Sequence, residues 1–145
     1  MHTKHLIALL LSTLLLTGCE LETSHNGKLD GNWQLRKIDT LATGGICDMS
    51  YSYIYWAVQN DLLQVRDIDN GNQKYFFRFQ KQGNQLTISA PHRIITKDEL
   101  QPLETAELLL PFGIIGTEDT FTITQLSNGS LTLNNTLYRL HFRKY

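Results

Sequence analysis

The chain has 145 residues, of which 41% are hydrophobic, 10% aromatic and 19% charged, enough apolar material for one core and one domain. A formal net charge of -1 excludes a strongly basic nucleic-acid binder and an acidic disordered tail. Two cysteines exclude a disulfide scaffold.

Lys4, helped by His2 and His5, precedes an apolar run from Leu6 to Leu16 that only Ser12 and Thr13 interrupt. A membrane-spanning helix needs about 20 such residues, so the run reads as the core of an export signal. It ends in Leu16-Thr17-Gly18-Cys19, which resembles the lipobox of bacterial lipoproteins. The resemblance implies a signal peptide over residues 1–18, cleavage before Cys19 and acyl chains on its thiol and amino group. Two or more acyl chains anchor stably where one does not. Glu20 rather than aspartate follows the cysteine, which by the same resemblance favours the outer membrane, with periplasmic face and cell surface both open. Residues 19–28 are polar and without periodicity, the pattern of a flexible tether, leaving 29–145 for the folded domain.

From there apolar residues recur at every second position, the period of a half-buried strand. Asn32 to Thr40 sets Trp33 and Leu35 on one face. Ser50 to Val58 is dense in aromatic and β-branched residues. Leu62 to Asp69 leads into Asn70-Gly71, a hairpin signal, and Gln73 to Lys81 places Tyr75, Phe77 and Phe79 together. Gly83-Asn84 turns into Gln85 to Ala90. Thr120 to Gln125, Ser130 to Leu133 and Leu137 to Lys144 follow, the last with Tyr138, Leu140 and Phe142 opposite Arg139, His141 and Arg143. About eight strands with tight turns predict an all-β fold, an antiparallel sandwich or barrel. The exception lies near residues 98–116, where Pro102 and Pro111 limit any helix to a short piece. Its apolar stretch from Leu108 to Gly116 reads as a lid, a buried edge strand or a plug. Burial is the expectation, because an exposed run this apolar promotes aggregation.

Gly31-Asn32-Trp33 at the start of the first strand resembles the Gly-X-Trp signature of lipocalins. With the lipobox, the short tether and the terminal Leu137 to Tyr145 segment, the chain is similar to lipocalin-like lipoproteins of Gram-negative gut anaerobes. The resemblance implies a lipocalin-like β-barrel whose Trp33 closes one end against an arginine near the chain's end, with Arg139 and Arg143 as candidates. The chain departs from true lipocalins in lacking a Thr-Asp-Tyr element and a helix after the last strand.

For chemistry, His25, His92 and His141 show no metal-ligand spacing, and no nucleophile or phosphate-loop motif is present. No catalytic residue, metal or cofactor is expected. Cys47 would be the only thiol left after lipidation; a buried inert thiol is the expectation, exposure in its glycine-rich loop the alternative. Tyr51, Tyr53 and Tyr55 would point one way from their strand and Ile54, Trp56 and Val58 the other. Neither face is plainly polar, so one is core and Tyr51, Tyr53, Tyr55 and Trp56 become candidate ligand-binding residues. The expected function is non-enzymatic binding of a small apolar or amphipathic ligand in a barrel mouth. The alternative is an accessory lipoprotein with a filled barrel, docking a protein or glycan through an exposed aromatic face. The expected partners are a membrane, through the lipid, and no nucleic acid.

Overall fold

The computed structural model describes residues 24–145; the expected signal peptide, the expected lipidation site Cys19 and the first part of the expected tether lie outside the described residues. Ten strands follow in chain order: β1 (Gly31–Thr40), β2 (Ile46–Asp48), β3 (Ile54–Gln59), β4 (Leu62–Asp67), β5 (Gln73–Gln82), β6 (Gln85–Thr96), β7 (Glu99–Pro102), β8 (Asp119–Leu126), β9 (Ser130–Asn134) and β10 (Tyr138–Lys144). All pairings are antiparallel, and eight strands close a ring in the order β1-β3-β4-β5-β6-β8-β9-β10, with β10 returning to β1. The expected barrel is therefore what the alternating pattern builds. The remaining two strands are short additions: β2 pairs with the end of β1, and β7 with the end of β6.

Inward positions carry the core. Trp33 and Leu35 of β1, Trp56 and Val58 of β3, Leu63 and Val65 of β4, Tyr75 and Phe77 of β5, and their counterparts on β6 to β10 form one cluster of buried side chains. Trp56 stands edge-on to Phe121 at 5.5 Å and Phe142 at 5.2 Å, each such pair adding about 0.5–1.5 kcal/mol to the area it buries. Barrels of eight strands are just wide enough for side chains to fill, and this one is filled.

The two ends differ. At the base, where Ser24 enters and Tyr145 ends, a 3₁₀ turn at Gly27–Leu29 pushes Leu29 into the core. Trp33 Nε1 donates to the Leu29 carbonyl at 2.9 Å. The cation over the Trp33 ring is Lys144, 4.5 Å from its centroid, not Arg139 or Arg143. The pleat decides this: Leu140, Phe142 and Lys144 share the inward face, whereas Arg139 reaches Asn134 and Arg143 reaches Gln34 on the outer wall. Lys144 Nζ also donates to the Asp30 and Lys28 carbonyls. Gly31 sits at φ 124, a conformation that L side chains rarely adopt, so the backbone requires glycine here; a Cβ would also displace the end of the Lys144 side chain.

Residues 24–28 are tied to the barrel. Asn26 Nδ2 donates to Asp30 Oδ1 at 2.7 Å and to the Asn60 carbonyl at 2.7 Å, and Asn60 N donates to Ser24 Oγ at 2.7 Å. Burial pushes the Asp30 carboxyl up, but the hydrogen bonds from Ser24 and Asn26 outweigh it and hold the group below the usual carboxylate range.

At the opposite end, the mouth, a 3₁₀ helix at Glu107–Phe112 lies across the opening. With three residues per turn, Leu109 and Phe112 fall on the same face, and both are buried together with Ile114. Phe112 packs edge-on against Tyr75 at 5.9 Å. The apolar run is thus a plug, with Leu108 and Leu110 left outside. A buried clasp pins it. Asn135 Nδ2 donates to the Gly113 carbonyl and to Asp119 Oδ2, each at 3.0 Å, and Ile115 N donates to the same Asp119 oxygen at 3.0 Å.

Burial raises the Asp119 carboxyl above 3.8, against the lowering effect of the Ile115, Asn135 and Thr120 donors. The folded state therefore holds this proton more tightly than the unfolded chain. The resulting stabilisation is complete below 3.8 and is lost as pH rises through the folded value. Asp119→Asn is expected to remove that loss, as measured by urea unfolding at steps from about pH 4 upward.

Candidate functional site

The site begins with a break in β6. Opposite Phe76 to Arg78 of β5, β6 accommodates one extra residue, and Ala90 adopts φ 51. A non-glycine residue in this region is strained by about 1–3 kcal/mol, and such strain clusters at functional sites. Pro91 follows. A proline within a strand marks a bulge or an edge, and a bulge bends its strand. Up to Ile88, β6 pairs with β8 in the ring; beyond the bulge, His92 to Thr96 pair with β7 instead.

Between this two-stranded ribbon, the outer wall of β5 and the approach to β8 lies an open groove of about 680 Å³. Pro91, Leu100, Pro102 and Leu103 give it apolar walls, and Arg78, His92 and Glu118 stand around it. His92 stacks on Phe76 at 5.8 Å and its Nδ1 lies 3.0 Å from the Ala90 carbonyl, so both faces of the bulge brace the ring. Arg78 is mostly exposed and meets Asp61 at 3.8 Å. An exposed pair this long contributes little, which leaves the guanidinium available to a ligand. A more polar depression of about 450 Å³, lined by Asn72 to Phe76, Arg93 and Ile94, lies on the same ribbon.

The four candidate aromatic residues do not form one platform. β3 starts only at Ile54, so Tyr51 lies in the preceding turn and Tyr53 at its edge, 90% and 51% exposed. Trp56 is a core side chain, because its position in the pleat faces inward. Its Nε1 finds no acceptor among the described residues. Tyr55 faces outward but is buried, its ring 5.2 Å from that of Tyr145 in an edge contact; burial, then the neighbouring tyrosines, raises its hydroxyl above 10.0.

Asp39 Oδ2 meets His141 Nε2 at 2.7 Å on the outer wall, and this bond holds the Asp39 carboxyl below its ordinary value. Cys47 is exposed on β2 rather than buried, because β2 lies on the rim of the mouth and not in the ring. A maleimide reagent is expected to label Cys47 fully in the native protein, and labelling only after denaturation would contradict that placement. Among the described residues no group of three or more His, Cys, Asp or Glu side chains is arranged to hold a metal, and no helix is long and apolar enough to cross a membrane.

A family model for a lipocalin-like domain matches residues 14–145, across the barrel just described. The chain belongs to the lipocalin-like domain family. The fold of a lipocalin-like protein from Bacteroides uniformis is similar, with a TM-score of 0.63 at 23% identity over 82% of this chain and 100% of that one. An uncharacterized protein from Bacteroides eggerthii gives 0.57 at 18% identity over 81% and 99%. At these identities the likeness is one of fold. No curated protein matches. A lipocalin-like fold is typically a non-enzymatic scaffold suited to a small ligand. In this member the groove formed by Ala90, Pro91 and β7 lies outside the barrel, while the interior is occupied by its own side chains.

Proposed function

We propose that this lipocalin-like protein binds a small apolar or amphipathic molecule in the groove on its outer wall, without transforming it, while a lipid on Cys19 holds it at the outer membrane. The observation that carries the reading is the groove itself. Its volume of about 680 Å³ falls within the range of small-molecule sites, which combine apolar walls with a few polar groups. The interior is filled and clasped, which leaves the outer wall to a ligand. An amphipathic ligand would lay its tail on Leu100, Pro102 and Leu103 and its head beside Arg78 and His92. The anchor rests on the Leu16 to Cys19 resemblance, and the outer membrane on Glu20. The chain enters the barrel at the base, so a tether of this kind would hold the mouth away from the bilayer.

Calorimetric titration with dodecanoate tests the binding. Leu103→Asp, placing a charge against the tail, is expected to weaken binding by about tenfold or more, equivalent to 1.4 kcal/mol. Equal affinity in the variant would remove the groove from consideration. Native mass spectrometry of protein extracted from its own membrane identifies a co-purifying ligand, and Cys19→Ala is expected to abolish incorporation of labelled palmitate.

A second reading, docking of a protein or glycan through aromatic side chains, is favoured by the exposure of Tyr51 and Tyr53 alone. Their replacement by serine is expected to leave the thermal midpoint nearly unchanged, since neither belongs to the core.

A further inference from the structure

We propose that the mouth end, beyond the ligand groove, docks an extended segment of another protein that alternates apolar and basic side chains. The first observation is where the exposed apolar surface sits. Among the described residues, every exposed large apolar or aromatic side chain except Leu62 and Tyr145 belongs to the mouth end. Soluble proteins rarely concentrate apolar surface on one face unless something covers it.

The plug shows this most clearly. Its 3₁₀ repeat turns Leu109 and Phe112 inward and leaves Leu108 and Leu110 outside, 44% and 49% exposed. Neither lines the groove. Packing of the barrel explains the inward pair and not the outward one.

Among the described residues nothing covers these side chains, and Ser24 and Tyr145, the two ends of the described chain, both lie at the base. Charge selects among outside partners. Between Lys97 and Arg139 the sequence holds no lysine or arginine and six carboxylates, five of them exposed and Asp119 buried in the clasp. Of these, Glu104 and Glu107 flank the exposed leucines and are themselves exposed. Such a surface repels the anionic headgroups of a bilayer and attracts a basic partner. Extended form follows from β7, which among the described residues pairs with β6 alone and leaves its other edge, short and ended by Pro102, open to an extended segment just before the plug.

The test uses the full chain in phosphatidylcholine nanodiscs, with empty nanodiscs as reference, and two fluorescein-labelled octapeptides, one alternating Lys and Leu, the other Glu and Leu. Anisotropy is expected to show the Lys–Leu peptide binding about tenfold tighter or more than the Glu–Leu peptide, with affinity falling as salt rises. Leu108→Ser with Leu110→Ser, and separately Glu104→Gln with Glu107→Gln, are each expected to weaken it by about fivefold or more at an unchanged thermal midpoint. Arg78→Gln, which removes the guanidinium beside the groove and lies on β5 away from the plug, is expected to leave peptide binding intact, so a failed groove and a failed docking face are told apart. Equal binding of the two peptides, or binding indifferent to both pairs of substitutions, would overturn the proposal. So would transfer to vesicles containing phosphatidylglycerol, or a concentration-dependent dimer abolished by the leucine substitutions, since the occupant would then be a membrane or a second copy.

Discussion

Phe112→Ala is expected to lower the folding free energy by about 3–5 kcal/mol, the usual penalty for removing a buried aromatic ring. Phe112 is 1% exposed and stands edge-on to Tyr75, so truncation opens a void beneath the plug rather than a dent in the surface. Chemical denaturation measures the loss, and the thermal midpoint is expected to fall by roughly 10–20 °C. Leu110→Ala, two positions away on the outward side, is expected to stay within about 0.5 kcal/mol. If the segment were instead a lid resting loosely on the mouth, both substitutions would be nearly neutral. Gly113 makes the same point from the backbone: it closes the helix at φ 82, and a Cβ there would collide with the Leu140 side chain. The plug fits by close approach to β10 and not by chance contact.

Trp33→Ala is expected to destabilise by a similar amount, about 3–5 kcal/mol, because it opens the base. The indole is fully buried, caps the core with Leu29 and donates to the Leu29 carbonyl. Its removal also releases Lys144, whose ammonium lies over the ring. The basic residues separate the contributions. Lys144→Gln is expected to lose about 0.5–2 kcal/mol, the range of a cation over an aromatic face. Arg139→Gln, on the outer wall, is expected to stay within about 0.5 kcal/mol. Parallel urea titrations of the three variants give the order directly, and an Arg139 effect larger than that of Lys144 would contradict the packing.

Much of the barrel was legible because strand alternation is a local signal. Tyr75, Phe77, Leu140 and Phe142 fall inward as their spacing requires, and the aggregation cost of an exposed Leu108 to Gly116 pointed to the burial of Leu109, Phe112 and Ile114 without choosing among lid, edge strand and plug. What the alternation could not carry was register. Choosing between Arg139, Arg143 and Lys144 as the partner of Trp33 depends on which face of β10 meets β1, and the Trp33–Lys144 pairing is set across the whole chain. The strands β2 and β7 went unread because each is only a few residues long and exposed throughout, with no core face to impose a period.

The candidate site was less legible for a related reason. The aromatic density of Ser50 to Val58 read as one strand, yet the chain turns until Ile54, which separates Tyr51 and Tyr53 from the buried Tyr55 and Trp56. The groove had one signal available, Pro91 directly after a run read as ending at Ala90. A proline there marks a bulge, and the bulge is what frees His92 to Thr96 to build the ribbon with β7. The residues it brings together, Arg78, His92, Leu103 and Glu118, are far apart in sequence, and no local pattern joins them.

The most direct measurement is a set of intermolecular nuclear Overhauser contacts between bound dodecanoate and the methyl groups of the protein. Contacts to Leu100 and Leu103 are expected, with the ligand lying on the outer wall and the plug in place. Contacts to Leu63, Val65 or Ile88 would put the ligand inside the ring and contradict a filled barrel that binds on its exterior.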